Sequence, residues 1–372
     1  MNYQWLYFTE NYIGKINWEK LKKFYNSSFD YLLGWEPRPN SKKKESFGFN
    51  KTGFLSFDEN GLRDDPNKNS RETEFAIFGD SYALSRQVSS KETISHILGN
   101  KLNGYIPNYG VGNYGIDQAF QRYLKYRENL PNKKIILIIV PETIVRMNTI
   151  WRHFHETGNI FGFKGKFFVE NESLYYQKNP IKTFSDYEKY LTKKITKNKL
   201  LANDPMFEIR FKKEVFDLKK LLKCNKETII KAKEFCEYKL KSKYLKSIND
   251  LKGLSIRMKY NSKFADLCYL NNKLTLPFEL LVEEFNRKTN ENLHIFFIPQ
   301  LSDLNLKTNH CERYIDNLRK RKGFKIYSGF EYLRTKRHLV GKFNKLYVEK
   351  GYGGHLNKLG NVIISEWILD KL

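Results

Sequence analysis

The run Lys134-Ile-Ile-Leu-Ile-Ile-Val140 restricts the fold more than any other stretch, because six consecutive apolar residues do not alternate with polar ones. A strand with one face in water alternates, so an unbroken run indicates a strand that is buried on both faces. Similar runs predict further strands at 75–78, 105–109, 293–298 and, as the weakest, 324–327. Apolar residues at helical spacing predict helices at 91–103, 116–129, 277–290, 309–322 and 357–372. This alternation favours a doubly wound α/β sheet.

Two regions depart from the alternation and divide the chain. Residues 1–70 are rich in turn residues and precede the first core strand, so we expect an N-terminal extension that packs on the core. Residues 151–273 are too long for an ordinary connection, and 20 basic against 8 acidic residues between 191 and 260 predict a basic helical cap. The core then comprises 71–150 and 274–372. The predicted fold is a flavodoxin-like, three-layer sandwich with a large, mostly helical insertion.

The charge of the chain has two interpretations. The 372 residues carry a net charge of +25, from 66 Lys and Arg against 41 Asp and Glu. Lysine-rich codon usage in an AT-rich genome explains such a charge without any functional meaning. The functional interpretation is attraction to an anionic partner, such as a phosphate-bearing substrate, a membrane surface or nucleic acid. No recognised nucleic-acid motif is present, so we expect no specific nucleic-acid partner.

The cysteines and the first residues indicate the compartment. The four cysteines, Cys224, Cys236, Cys268 and Cys311, form no Cys-x-x-Cys pair, and scattered thiols fit a reducing compartment. The first residues show no basic stretch followed by an apolar one, and no run of about eighteen apolar residues predicts a membrane span. We therefore expect a cytoplasmic protein without a transmembrane segment.

Ser81 ends the apolar run of the first core strand, in the sequence Phe78-Gly79-Asp80-Ser81. Glycine permits a sharp turn because it has no Cβ. We expect the serine where the strand gives way to a helix, with its backbone N–H able to face an anion. A hydroxyl in that position is a candidate nucleophile, provided that a base reaches it.

His355, in a glycine-rich loop before the last helix, is the candidate base. Loops that follow parallel strands gather at the carboxyl edge of the sheet, so residues far apart in the sequence can meet there. Imidazole titrates near neutral pH and suits proton transfer. The alternative is a histidine that only bonds backbone at the start of the helix.

A second glycine-rich loop, at 108–118, follows the predicted strand at 105–109. Small residues let backbone N–H groups approach a substrate and stabilise the oxyanion that forms when a hydroxyl attacks a carbonyl. A tight turn between a strand and a helix explains the same glycines equally well.

Together, Gly79-Asp80-Ser81, Asn108-x-Gly110 and Gly354-His355-Leu356-Asn357 resemble blocks I, II and V of the SGNH/GDSL hydrolase superfamily, in the order of that family. The resemblance covers 30–150 and 290–372. Two stretches before the first core strand are similar to bacterial members with an N-terminal extension, namely Leu33-Gly34-Trp35-x-Pro37-x-Pro39-Asn40 and Asn60-Gly61-Leu62-Arg63-Asp64. It implies Ser81 as nucleophile and His355 as general base. It also implies oxyanion donors at the backbone N–H of Ser81 and of Asn113, or of Gly112 if the loop is shifted by one residue.

One departure from the family concerns the base. The family usually has an aspartate three residues before the histidine, where this chain has Tyr352, with Glu349 farther back. A tyrosine hydroxyl can orient an imidazole but adds no negative charge to stabilise the imidazolium. A backbone carbonyl or another carboxylate is the alternative.

The other departure concerns the oxyanion. The block III asparagine of the family follows the third strand, where this chain has Glu142, which repels an oxyanion unless it points away or is protonated. Thr143, Arg146 or Asn148 are the candidate replacements. Arg146 is either a cation for an anionic substrate or a surface arginine, and Asp80 is a further candidate for support of the site.

Metal and cofactor chemistry has little support in the sequence. His153-x-His155 places two imidazoles on one face of a strand, but no third ligand is evident, so we expect no metal and no cofactor. Trp35, Trp151 and Trp367 can stack on sugar rings or pack in the core.

The leading prediction is a serine esterase or acyltransferase that acts on O-acyl groups of a saccharide or surface-glycan precursor. A basic cap would suit an anionic substrate such as an acidic or nucleotide-linked sugar. The alternative, favoured by Tyr352 and Glu142, is a catalytically weak or inactive binding protein for an anionic glycan or nucleotide-sugar on the same fold. A binder of nucleic acid or an anionic surface, acting through the cap, ranks third. The oligomeric state stays open.

Overall fold

The computed structural model describes residues 16–154, 156, 159–192, 204–205, 262–306, 309–337, 341–349 and 354–372. The strands are β1 (Phe29–Asp30), β2 (Gly34–Trp35), β3 (Lys42–Gly48), β4 (Lys51–Ser56), β5 (Phe75–Gly79), β6 (Lys134–Ile139), β7 (Lys166–Glu170), β8 (Ser173–Gln177), β9 (Leu293–Phe297) and β10 (Ile326–Ser328). The α-helices are α1 (Trp18–Ser28), α2 (Ile94–Lys101), α3 (Ile116–Tyr126), α4 (Thr143–Met147), α5 (Phe184–Thr192), α6 (Ser262–Cys268), α7 (Asn272–Lys288), α8 (His310–Lys322), α9 (Gly329–Thr335) and α10 (Lys358–Lys371).

The centre of the fold is a parallel sheet of four strands in the order β10-β9-β6-β5. β6 pairs with β5 on one side and with β9 on the other, so the unbroken apolar run forms the middle of the sheet. Every residue from Ile135 to Ile139 is buried, as expected for a strand that is covered on both faces. The strand predictions at 75–78, 134–140 and 293–298 are confirmed, and the last strand begins at Ile326.

Helices cover both faces of the sheet. Phe78 of β5 belongs to one apolar cluster with Phe120 of α3 and Phe278 of α7, whereas its neighbour Ile77 belongs to a second cluster with Leu98 of α2. The predicted helices are all present. α7 differs most, because it begins five residues before the predicted start at 277. None of the helices in the described ranges has the length and apolar character needed to cross a bilayer.

The prediction of a regular strand at 105–109 is wrong. The segment runs parallel beside β5, and the Tyr109 N–H donates to Ile77 O at 2.7 Å while the Ile77 N–H donates to Pro107 O at 3.0 Å. Only isolated bridges form, because Pro107 has no N–H to donate between those of Tyr105 and Tyr109. The segment nevertheless occupies the edge of the sheet next to β5.

The N-terminal region from 16 to 70 contacts the rest of the fold through buried charged residues. Glu36 Oε2 accepts a hydrogen bond of 3.1 Å from Nη1 of Arg122 on α3. Arg63 donates to Ser56 O at 3.1 Å and to Val88 O at 3.0 Å, and burial lowers its pKa to about 10. These bonds connect the region to α3 and to the turns that follow Ser81.

The described beginning of the predicted cap contains a hairpin as well as a helix. β7 and β8 pair antiparallel over their whole length, and α5 follows. Trp151, Phe163 and Tyr187 join Leu21 of α1 in a separate apolar cluster. Residues 193–203 and 206–261, which carry most of the expected basic helical cap, lie outside the described residues.

Candidate active site

The turn that carries Ser81 follows the carboxyl end of β5, as predicted. Gly79 has a φ of 139°, and a Cβ on it would lie 1.8 Å from Ile138 O on the neighbouring strand. Glycine is therefore required where the two strands approach each other. The prediction that a helix follows at once is wrong: residues 81–87 form successive turns, and Ser85 has a φ of 51°, which no α-helix accommodates.

Asp80 is fully buried and holds this turn in place. Its Oδ1 accepts the backbone N–H of Tyr82 at 2.8 Å, and its Oδ2 accepts that of Val140 at 3.0 Å. Arg146 Nη1 also donates to Oδ2, at 3.2 Å. A carboxylate with three donors, one of them charged, links the turn to the end of β6 and to α4. Asp80 therefore supports the position of Ser81.

Ser81, His355 and Gln87 form a hydrogen-bonded row. His355 Nε2 lies 2.8 Å from Ser81 Oγ, and His355 Nδ1 lies 2.7 Å from Gln87 Oε1. The structure thus brings together the two residues that the sequence predicts as nucleophile and base. It adds a third residue, Gln87, that the sequence does not predict.

The hydrogen bonds around Gln87 define the tautomer of His355. Gln87 Nε2 donates to Ser46 O at 2.9 Å, and the backbone N–H of His355 donates to Gln87 Oε1 at 3.2 Å. The Ser46 carbonyl can only accept a hydrogen bond, so the Gln87 amide must present its NH₂ group there. The backbone N–H of His355 can only donate, so the amide must present its oxygen on that side. Oε1 then accepts a proton from Nδ1, which leaves Nε2 as the acceptor for the Ser81 hydroxyl. This is the tautomer that a general base needs.

The surroundings keep the His355 imidazole neutral. Burial and the cations Arg86 and Arg146 lower the pKa of His355 to about 3. The neutral imidazole, which is the form that can accept a proton, therefore persists across a wide pH range. An imidazolium at this position would receive no countercharge from Gln87, because an amide is neutral.

Of the two residues that the sequence offers behind the base, the structure describes only Glu349. Tyr352, at the position of the family aspartate, lies outside the described residues. Glu349 lies beside Gly48, where its Oε2 is 2.6 Å from the position of a Cβ on that glycine. Sequence reasoning missed Gln87 because it stands six residues after Ser81, in turns that carry no recognisable pattern. The bond of Ser46 O to its amide is a contact that no spacing indicates.

The glycine-rich loop after the edge segment lies against the end of β5. The Val111 N–H donates to Gly79 O at 3.1 Å, and Trp35 Nε1 donates to Gly112 O at 3.1 Å. Asn113 has a φ of 67°, a left-handed conformation that asparagine tolerates better than most residues other than glycine. This explains how asparagine can stand where the resemblance implies a glycine.

Three backbone N–H groups, those of Ser81, Gly112 and Asn113, have no acceptor in the part of the chain that the structure describes. Because Gly112 O points at the indole of Trp35, the Asn113 N–H of the same trans peptide points the opposite way. A Cβ on Gly112 would meet no atom within 4 Å, so there is open space beside the loop. The loop thus keeps donors and space for a ligand.

Glu142 and Arg146 form an ion pair in which the arginine is buried and the carboxylate is partly exposed. Arg146 Nη2 pairs with Glu142 Oε2, while Arg146 Nη1 donates to Tyr114 O at 3.2 Å as well as to Asp80. The Arg146 side chain is 4% exposed, so the alternative of a surface arginine is wrong. Because Arg146 neutralises Glu142, that carboxylate does not repel an oxyanion as a free one would.

The other candidate replacements for the family asparagine are engaged elsewhere. Thr143 Oγ1 accepts the Ile116 N–H at the start of α3, at 2.8 Å. Asn148 Nδ2 donates to Ile144 O at 2.7 Å and to Leu274 O, in α7, at 3.1 Å. Both side chains hold helices in position.

The histidine pair and the tryptophans are mostly part of packed regions. His153 is buried with its ring 4.8 Å from that of Trp151, and His155 lies outside the described residues. Trp151 and Trp367 are buried in apolar clusters. No group of three or more metal-binding side chains is present among the residues that the structure describes.

The chain matches no protein-family model, and no curated protein is similar to it at a significant level.

Proposed function

We propose that the chain is a serine esterase or O-acyltransferase of the SGNH/GDSL type. The observation that carries the proposal is the 2.8 Å contact between Ser81 Oγ and His355 Nε2, with Gln87 Oε1 at 2.7 Å from Nδ1. Nucleophile and base are in hydrogen-bond reach, and a third group orients the base, which is the arrangement that activates a serine hydroxyl. A histidine that only bonded backbone would not face the hydroxyl.

The strand order supports a flavodoxin-like arrangement. When the edge segment at 105–109 is counted as the second strand, the order across the sheet is 2-1-3-4-5, with β5 as the first strand and β6 as the third. In such sheets ligands bind at the carboxyl ends of the strands where the order reverses, here between β5 and β6. Ser81 follows β5, and Glu142 follows β6, so the candidate residues lie at that point.

In the first half of the reaction, Ser81 Oγ bonds to the carbonyl carbon of an acyl ester as its proton moves to His355 Nε2. The carbonyl oxygen becomes an oxyanion, and the N–H groups of Ser81 and of Asn113 or Gly112 are its candidate donors. Loss of one such donor typically costs about 10²–10³ in rate, so these groups are expected to matter as much as the base.

In the second half, the tetrahedral intermediate collapses and the alcohol leaves with the proton from His355 Nε2. The acyl group is then an ester of Ser81. A water molecule or a sugar hydroxyl loses its proton to Nε2 and attacks this ester, which releases the acid or the acylated sugar and restores Ser81. The same residues therefore serve an esterase and a transferase.

The proposed substrate is an O-acylated saccharide or surface-glycan precursor, with an anionic character suited to the net charge of +25. Cytoplasmic action on such a precursor belongs to the same proposal. The assay is hydrolysis of p-nitrophenyl acetate and of acetylated sugars, with and without added sugar acceptors. Ser81→Ala should lower kcat/KM at least about a thousandfold.

Ser185→Ala removes an exposed hydroxyl from α5 and should leave the rate unchanged. A fluorophosphonate should label wild-type protein at Ser81. Equal rates for wild type and Ser81→Ala would refute the proposal.

A second candidate function is a binding protein on this fold. It is favoured by the low pKa of His355 and by the neutral Gln87, because neither stabilises the imidazolium of a working base. It predicts that an acylated sugar binds equally well to wild type and to Ser81→Ala and is not turned over. Labelling of Ser81 by the fluorophosphonate would argue against this candidate.

A further inference from the structure

The hairpin formed by β3 and β4, residues 42–56, combines exposed aromatic and basic side chains. We call it the basic hairpin. Lys44 and Phe54 are direct cross-strand partners, so they stand on the same face of the hairpin, and Phe54 is 60% exposed. Phe49, at the turn between the strands, is 63% exposed. Phe54 beside Lys44 gives this face an apolar and a cationic group next to each other.

The basic hairpin also carries positive charge that the described protein does not neutralise. Its four lysines, Lys42, Lys43, Lys44 and Lys51, are exposed, and none forms an ion pair with a described residue. Its one acidic residue, Glu45, is paired with Arg86 at 2.8 Å. The carboxylate of Glu349 lies beside Gly48, at the end of β3. The exposed charge is therefore predominantly positive.

We propose that the basic hairpin docks on the surface of an anionic lipid bilayer. Lysines near such a surface are attracted to acidic head groups, while an aromatic ring beside them can enter the interface between head groups and acyl chains. A soluble polyanion would use the lysines but would leave Phe54 in water. Lys42 and Lys44 share the face of Phe54 because side chains alternate along β3, and this combination of cations with an exposed ring favours a bilayer.

Docking would bring the candidate active site to the same surface. Ser46 O, in β3, accepts the hydrogen bond of Gln87, which in turn bonds His355. The basic hairpin is thus two hydrogen bonds away from the imidazole. Docking does not depend on catalysis, because Ser81 is not part of the basic hairpin. Ser81→Ala should therefore bind the bilayer like wild type.

The test is flotation of the full chain with vesicles of phosphatidylcholine alone and of phosphatidylcholine mixed with phosphatidylglycerol. Wild type should float with the mixed vesicles only. Replacement of Lys42, Lys43 and Lys44 by glutamine should weaken binding about a hundredfold, since each lysine near an anionic surface contributes about fivefold. Phe54→Ser should weaken it about tenfold through lost apolar contact.

Matched controls make the same changes elsewhere. Leu270→Ser alters another exposed apolar residue, which is 62% exposed. Replacement of the exposed Lys273, Lys320 and Lys325 by glutamine removes the same charge from other elements. Both variants should float within about twofold of wild type, and melting temperatures of all variants should match because the altered side chains are exposed.

Three outcomes would overturn the proposal. One is wild-type protein that stays with neither kind of vesicle, and another is equal binding to neutral and anionic vesicles. The third is unchanged vesicle binding of Phe54→Ser together with displacement of the protein by heparin, because that result identifies a site for soluble polyanions.

Discussion

Gln87 Oε1 lies 2.7 Å from His355 Nδ1, so a neutral amide stands behind the imidazole where serine hydrolases ordinarily have a carboxylate. The amide fixes the tautomer of His355 through its bonds to Ser46 O and to the backbone N–H of His355. The amide therefore orients the imidazole but provides no negative charge to stabilise an imidazolium. Arg86 and Arg146 further disfavour the imidazolium. As the proposed base, His355 is therefore well placed but weak.

Gln87→Leu should lower kcat about 10²–10³-fold with little change in KM. Leucine has a similar size but accepts no hydrogen bond, so the imidazole loses the partner that keeps Nε2 free of a proton. Steady-state kinetics on an acetyl ester would measure the effect. Gln121→Leu makes the same change on α3 and should leave kcat unchanged. Wild-type kcat in Gln87→Leu would mean that the amide does not orient the base.

The acid limb of kcat/KM in the wild type should lie near pH 3, far below the value of about 6.5 for an ordinary histidine. The neutral imidazole is the active form, so activity should stay level from neutral pH down to about pH 4. A limb near 6.5 would contradict the depressed pKa. Gln87→Glu places a carboxylate beside Nδ1 and should move the limb upward by at least about one unit.

The same pKa makes folding sensitive to acid. His355 binds a proton in the unfolded chain below pH 6.5 but in the folded protein only near pH 3, so its contribution to stability is complete above 6.5 and is lost as the pH falls. The free energy of unfolding should decline by up to about 1.4 kcal/mol per pH unit within that window. Urea titrations of wild type and His355→Gln at several pH values would isolate this contribution.

Trp35→Phe should lower kcat about tenfold while KM changes little. The phenyl ring keeps the packing but loses the indole N–H that holds Gly112 O, so the Asn113 N–H of the same peptide is no longer fixed for an oxyanion. Trp151→Phe is the matched control, because it loses a comparable bond from Nε1 to Ile160 O at 2.9 Å. An equal drop in kcat for both variants would indicate a general loss of stability.

Arg146→Met should lower the free energy of unfolding by about 3–5 kcal/mol, because it leaves the buried carboxylate of Asp80 and the partly exposed carboxylate of Glu142 without their cation. Glu142→Gln should cost only about 1 kcal/mol, since Arg146 keeps Asp80 and a glutamine oxygen as acceptors. Urea denaturation would measure both. A loss below about 1 kcal/mol for Arg146→Met would show that the cation is not needed to balance the carboxylates.

The sequence by itself determined the four strands of the parallel sheet and the location of the two main candidate residues. An unbroken apolar run such as Ile135–Ile139 has few alternatives to a strand covered on both faces, and parallel strands place Ser81 and the loop of His355 at one edge. Gly79 likewise indicates the turn before Ser81, because a side chain at this position would collide with the neighbouring strand.

The tertiary structure alone decided how the site is completed. Gln87 and His355 are 268 positions apart, and Ser46, which holds the Gln87 amide, comes from a hairpin with no pattern in common with either. Arg146 is buried because Asp80 and Glu142 surround it, although its spacing also fits a surface helix. The spacing of apolar residues along the chain indicates which face of a helix or strand is buried, because that spacing is a local property of the sequence. The partner of a buried polar group depends on how distant elements pack, and only the folded chain fixes it.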